Sequence, residues 1–230
     1  MKISNNIKRA IFVKRINRFE AYVILDKQEI LVHVPNTGRC KEILTLNAIV
    51  ILREENGKNR KTRYDLIAVY KGNKLINIDS QIPNKVVNEA LNNKVISNLT
   101  RYTNILKEKT FGKSRFDFKL SDDNGNIYYL EVKGVTLEEN GFVKFPDAPT
   151  ERGKKHLLEL IEVKKQNMGA GILFLIQMDN VKSFSPNYEM DKNFTKALKM
   201  AQNSGIDILA YQCDVSEDSI TLKNEVKIIL

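Results

Sequence analysis

The sequence predicts two domains: a small β-barrel over residues 1–82, then an α/β domain with a mixed sheet over residues 83–230. Three observations predict this. Short, β-branched runs divided by turns fill residues 11–80 with no helical period among them. The pattern changes at "QIPN", residues 81–84, which reads as a helix start. Beyond it, continuous apolar strands alternate with helical stretches, the mark of parallel strands joined by crossovers.

The first strands are "IFVKRI", "EAYVIL" and "ILVHV", with a turn at "DKQE". "AIVIL" leads into the polar loop "REENGKNRK", and "YDLIAVY" and "KLINID" flank a Gly-containing hairpin turn. Strands this short favour a closed or nearly closed barrel; an oligonucleotide-binding (OB) fold is one candidate, and other small barrels fit the pattern equally well. After Pro83, Val87, Ala90, Leu91, Val95 and Leu99 follow at roughly helical spacing, with Asn84 a candidate N-cap. Strands are expected near 115–121 and 127–134 around "DDNGN", where Asn-Gly is a strong hairpin signal. A helix over about 150–167 carries an apolar face of Leu157, Leu160 and Ile161. "GILFLIQM" and "DILAYQC" read as strands buried on both faces, separated by the helix "DKNFTKALKMAQNSG".

Bulk properties narrow the function classes. The net charge is +9, and residues 1–80 hold 16 Lys and Arg against 8 Asp and Glu, leaving 21 against 20 for the rest. A basic excess concentrated in the first third suits a polyanion, nucleic acid above all, although solubility alone would also use it. Cys40 and Cys213 have no zinc-type spacing and no disulfide partner pattern, which suits a reducing cytoplasm. No run approaches the ~18 apolar residues of a membrane helix, and the basic start does not read as a signal peptide. No partner membrane is expected.

The chemistry concentrates in "SRFDFKLSDDNGNIYYLEVKGV", residues 114–135. Strand alternation puts Phe116 and Phe118 on one face and Asp117 on the other. On the next strand Leu130 and Val132 share a face, with Glu131 and Lys133 opposite. If the hairpin forms, Asp117 and Glu131 converge. Two converging carboxylates repel, and a hard divalent cation such as Mg²⁺ or Mn²⁺ relieves that. Lys133 beside it would orient water or stabilise charge on a phosphate. The plainer reading is a solvated strand face with a Glu–Lys pair.

At these residues the chain resembles the PD-(D/E)XK nuclease superfamily, whose core is an acid, a hairpin, then Glu-x-Lys. The whole chain resembles the sugar fermentation stimulation protein A (SfsA) family. The matching strings are "INRFEAYV", "HVPNTGRCKEIL", "RKTRYDL", "FGKSRFDF", "YYLEVKGVTL", "FPDAPTERGKKHL", "GAGILFLIQM" and "DILAYQC". The resemblance implies an OB-like domain, a nuclease-like domain, DNA binding and a regulatory role in sugar metabolism; with the basic first third it favours non-specific binding of duplex DNA, and metal-dependent phosphodiester hydrolysis through Asp117, Glu131 and Lys133 is the alternative. It places Asp117, Glu131 and Lys133 at the catalytic positions. It makes Glu108, at the end of an expected helix, an accessory acid completing a metal set with Asp117 and Glu131. Phe116 stands where the superfamily's name has proline.

Candidate DNA contacts lie elsewhere. "FPDAPTERGKKHL" offers Thr150 as a cap and crowds Arg152, Lys154, Lys155 and His156 into the first helical turn. That charge is unfavourable against the helix dipole unless an anion binds, although a solvated basic end explains it as well. "KRINRF" and "HVPNTGR" bring Arg15, Arg18, His33, Asn36 and Arg39, and "GKNRKTR" brings Lys58, Arg60, Lys61 and Arg63. The alternatives are a turn whose Asn36 and Arg39 bond backbone, and a solvated loop. Phe19 and Tyr22 could stack on bases, but an ordinary core or surface role is the favoured reading. A sugar-binding regulator is the weakest reading, since tryptophan is absent.

Overall fold

The computed structural model describes residues 1–4, 6–57 and 60–230; Lys58, expected in the basic loop, lies outside them. Six strands make the first unit: β1 (Ile7–Arg15), β2 (Glu20–Leu25), β3 (Gln28–His33), β4 (Ile49–Glu54), β5 (Tyr64–Lys71) and β6 (Lys74–Asn77). Their order is β3-β2-β1-β4-β5-β6, and a parallel pairing of His33 with Asp65 joins β3 to β5. That contact closes a five-stranded barrel. β1 serves two partners because its register shifts between Phe12 and Lys14, a bulge that bends the strand. Val23, Val32, Val50, Leu52, Leu66 and Val69 fill the interior without solvent exposure.

The second unit opens with α1 (Ile82–Asn92). Pro83 sits in its first turn, where a missing N–H costs nothing. Gln81 occupies the cap position with no side-chain bond, so Asn84 is not the cap; it lies inside the first turn. β7 (Asn104–Phe111), β8 (Ser114–Ser121), β9 (Ile127–Val135), β10 (Leu137–Glu139), β11 (Phe142–Phe145), α2 (Glu151–Lys165), β12 (Gly169–Ile176), β13 (Ser183–Pro186), α3 (Lys192–Asn203), β14 (Asp207–Val215), β15 (Ile220–Glu225) and β16 (Lys227–Ile228) follow. The main sheet runs β15-β14-β12-β9-β8-β7. β9, β12 and β14 are parallel, and the outer strands pair antiparallel. A small sheet, β10-β11-β13-β16, stands beside it. Among the described residues no helix is long and apolar enough to cross a membrane.

α1 covers one face, burying Val86, Val87 and Leu91 with Phe118, Leu130 and Val132. α2 and α3 cover the other, burying Leu157, Leu160, Phe194 and Leu198 with Ile172, Phe174 and Ile176. Burying both faces explains why β12 is apolar almost throughout. Thr150 caps α2, its Oγ1 accepting from Gly153 N at 3.0 Å, and Asp191 caps α3 through Phe194 N at 2.8 Å.

A buried polar junction joins the units. Gln177, just past β12, donates through Nε2 to Asn77 Oδ1 at 2.9 Å, and its carbonyl accepts from Asn77 N at 3.0 Å. Arg53 on β4 donates to Asp79 at 2.9 Å and to Asp65 at 3.0 Å; Arg60 and His33 also hold Asp65. Asp79 in turn accepts from Gln81 N at 2.9 Å, which fixes the start of α1 on the barrel.

Candidate metal centre and nucleic-acid interface

β8 and β9 pair from Ser121–Ile127 to Phe118–Leu130, and the ladder then ends. Asp117 is the next residue on β8. Its Oδ2 accepts from Val132 N at 2.7 Å, replacing a lost ladder bond, and its Oδ1 accepts from Asn84 Nδ2 at 2.7 Å. The parting of the strands also breaks the expected alternation. Phe118 packs under α1, whereas Phe116 packs with Tyr129 and His156 on the α2 side. The two phenylalanines therefore do not share a face.

On β9, Glu131 and Lys133 stand two residues apart, and Lys133 Nζ donates to Glu131 Oε1 at 2.5 Å. The same oxygen bonds His156 Nδ1. Arg152 Nε reaches His156 Nε2 at 3.4 Å. Arginine only donates, so Nε2 accepts, and Nδ1 carries the hydrogen given to Glu131. Glu131 is 2% exposed, and its second oxygen, Oε2, is buried without a hydrogen-bond partner.

The two acids are biased in opposite directions. Burial pushes the Asp117 carboxyl up to about 6, with the Glu131 charge adding to it. Burial also opposes ionisation of Glu131, but the bonds from His156 and Lys133 prevail and hold it below the usual range. An ionised acid with a spare buried oxygen next to a reluctant acid fits a hard cation with oxygen ligands. Glu131 Oε2 and Asp117 would hold it. Among the described residues no three acids, histidines or cysteines gather as a metal set, so the rest of the shell would come from water, amide or phosphate oxygens.

A carboxyl whose pKa is raised on folding stabilises the fold below its unfolded value near 3.9, and that stability is lost as pH rises through about 6. Asp117→Asn is therefore expected to stabilise the metal-free protein by roughly 1–2 kcal/mol at neutral pH. It should leave acid-side stability little changed. Urea titrations at two pH values check this, and equal effects at both would contradict it.

Glu108 does not join the acids. It lies within β7, not at a helix end, with φ +54°, and its half-exposed carboxylate pairs with Arg115 at 2.7 Å. Asn84 on α1 takes the neighbouring position instead, where the sequence suggested only a cap. His156 is 3% exposed, so it serves Glu131 and is no phosphate contact. All five donor hydrogens of the Arg15 guanidinium are spent on carbonyls, those of Asn17, Arg18, Asn36, Gly38 and Arg39, at 2.5–3.2 Å. Arg15 thus shapes the 36–39 loop instead of gripping phosphate. Asn36 is a turn residue: it bonds Ile78 O at 2.7 Å and Gly38 N at 2.6 Å. Arg39 N donates to Asp147 Oδ2 at 3.1 Å, while its side chain is exposed. Arg18, Lys61 and Arg152 are exposed; Arg63 pairs with Glu54 at 2.6 Å, and Lys155 donates to Lys113 O at 2.8 Å.

The side chains of Arg18 and Arg39 line a groove of about 970 Å³ between β1, the loop after Thr37 and the segment Phe145–Thr150. A Cβ at Gly38 would stand 2.6 Å from Asp147 Oδ2, so a larger residue there must displace that carboxylate.

The family models match in two pieces. "SfsA N-terminal OB domain" covers residues 13–78, and "Sugar fermentation stimulation protein RE domain" covers residues 81–219. The chain belongs to the sugar fermentation stimulation protein family. Family members from Clostridium botulinum (strain Hall) and Clostridium perfringens (strain SM101) are each 66% identical over 99–100% of both chains. The solved structure of Pyrococcus furiosus SfsA in complex with Ca²⁺ is 27% identical, covers all of both chains and superposes with a TM-score of 0.90. The OB barrel and the mixed-sheet domain of this chain are thus the family fold.

Proposed function

We propose that the protein binds DNA and hydrolyses phosphodiester bonds at a Mg²⁺ or Mn²⁺ site held by Asp117 and Glu131. The observation that carries this reading is the buried, unpartnered Oε2 of Glu131, an acid whose charge acts on the Asp117 carboxyl where β8 and β9 part. A structural ion pair has no use for a second acid held near it against its charge. The Ca²⁺ complex of the Pyrococcus furiosus relative supports a cation of the same hard, oxygen-seeking class in this fold. The bound cation would supply charge neutralisation at the phosphate and a more acidic water.

The chain's own residues supply the rest. His156 and Lys133 fix the Glu131 carboxylate, leaving Oε2 free for the ligand. Lys133 carries its charge at the same spot, where a phosphate oxygen would gain negative charge during hydrolysis. Exposed Arg152, one helical turn before His156, stands ready for a neighbouring phosphate. Incubation of duplex DNA, single-stranded DNA and RNA with Mg²⁺ or Mn²⁺ tests the reading. Cleavage that EDTA stops is expected; no metal-dependent product from any substrate would contradict it.

Binding without cleavage is the second reading, favoured by the basic excess of residues 1–80. It is also the step through which a regulatory role in sugar metabolism would act. For about four phosphate contacts, affinity should fall on the order of 10²-fold between about 50 and 200 mM salt. Fluorescence anisotropy with duplex DNA measures it, and a flat response would exclude a phosphate-driven complex.

A further inference from the structure

The groove between the barrel and the 145–150 segment carries two kinds of surface. Lys14, Arg18, Arg39 and Lys41 supply positive charge, and Asp147, the one acid in its lining among the described residues, is engaged with Arg39 N. Ile16 and Leu46 share the lining and are 47% and 68% exposed. Large aliphatic side chains this exposed inside a basic cleft call for an occupant that is both anionic and apolar.

A DNA duplex is a poor match. It is convex, its outer surface is phosphate and sugar, and its base faces are hidden in the stack. A single strand presents phosphates on one side and flat apolar bases on the other, which complements a concave slot with a basic rim. The lining also includes the start of α2. Its last residue is Thr150, the cap of α2, and His156 on Glu131 lies six residues on, about 9 Å along the helix.

We propose that this groove takes single-stranded nucleic acid, with phosphates against the four basic side chains and bases against Ile16 and Leu46. The strand would then run along the start of α2 to Asp117 and Glu131. This rests on the nucleic-acid reading above and adds to it the strandedness of the ligand.

The test is fluorescence anisotropy on the full chain in EDTA, with a labelled oligothymidylate, a duplex of equal length, and polyglutamate as competitor. The oligothymidylate should bind at least tenfold tighter than the duplex. Ile16→Ala with Leu46→Ala should weaken the strand about tenfold and change duplex binding less than twofold. Both positions are exposed, and thermal melting of the double variant confirms its fold. A duplex that binds as tightly as the strand, or variants that weaken both equally, would overturn the groove assignment while leaving DNA binding in place. No binding of either nucleic acid would overturn both readings. Polyglutamate displacing the strand at equal charge concentration would show a site for any polyanion and also overturn the assignment.

Discussion

Glu131→Gln is expected to abolish divalent-metal binding in calorimetry and to leave metal-dependent cleavage at background. The substitution is isosteric. An amide oxygen still accepts from Lys133 and His156, so the local bonds at Oε1 survive. What disappears is the charge and the free oxygen at Oε2, the atom buried without a partner. Lys133→Ala should separate binding from chemistry. The cation should still bind, while cleavage falls on the order of 10²- to 10³-fold, as when a donor aimed at developing charge is removed. Glu108→Gln is the control and should change neither quantity by more than about twofold, since its carboxylate is spent on Arg115 at the surface. Metal binding that survives Glu131→Gln but fails in Glu108→Gln would move the site to the sheet edge.

Arg53→Met is expected to cost about 3–5 kcal/mol in urea unfolding. The guanidinium is the only bridge described between the carboxylates of Asp65 and Asp79, which are 4% and 1% exposed. Methionine fills the space of the side-chain stem but leaves buried Asp79 without its counter-charge, while Asp65 keeps Arg60 and His33. The cost should reach the site, because Asp79 holds the first turn of α1 through Gln81 N, and that turn carries Asn84 to Asp117. Arg63→Met offers the contrast. Its pair with Glu54 is at the surface, and its loss should cost far less than that of Arg53. Equal effects for the two variants would mean that the barrel junction is no more than a surface ion pair.

The features legible in the sequence were those with a local period. "GILFLIQM" became β12, the capped "TERGKKHLLEL" became α2, and Asn-Gly closed the β8–β9 hairpin. Glu131 and Lys133 were legible for the same reason, since a spacing of two on a strand puts both on one face. The failures are non-local. β7 is an exposed edge strand, so its charged run "LKEKTF" shows no buried face, and Glu108 was expected on a helix. Phe116 departs from strict alternation because β8 leaves β9 one step before it. Asn84 carries the signal of a cap, and only the docking of α1 over the hairpin makes it a partner of Asp117. His156 and Arg15 look like phosphate ligands by charge. Their roles come from a helix face turned onto β9, and from a loop whose carbonyls converge on one guanidinium. The small β10-β11-β13-β16 sheet has strands of two to four residues, too short to show a period.

The metal site is the claim on which the catalytic reading stands. Crystals soaked in Mn²⁺ and measured near the manganese absorption edge test it most directly. An anomalous peak is expected within coordination distance of Glu131 Oε2 and the Asp117 carboxylate. Peaks only elsewhere, or no peak at these two acids at a pH above the Asp117 titration near 6, would contradict it.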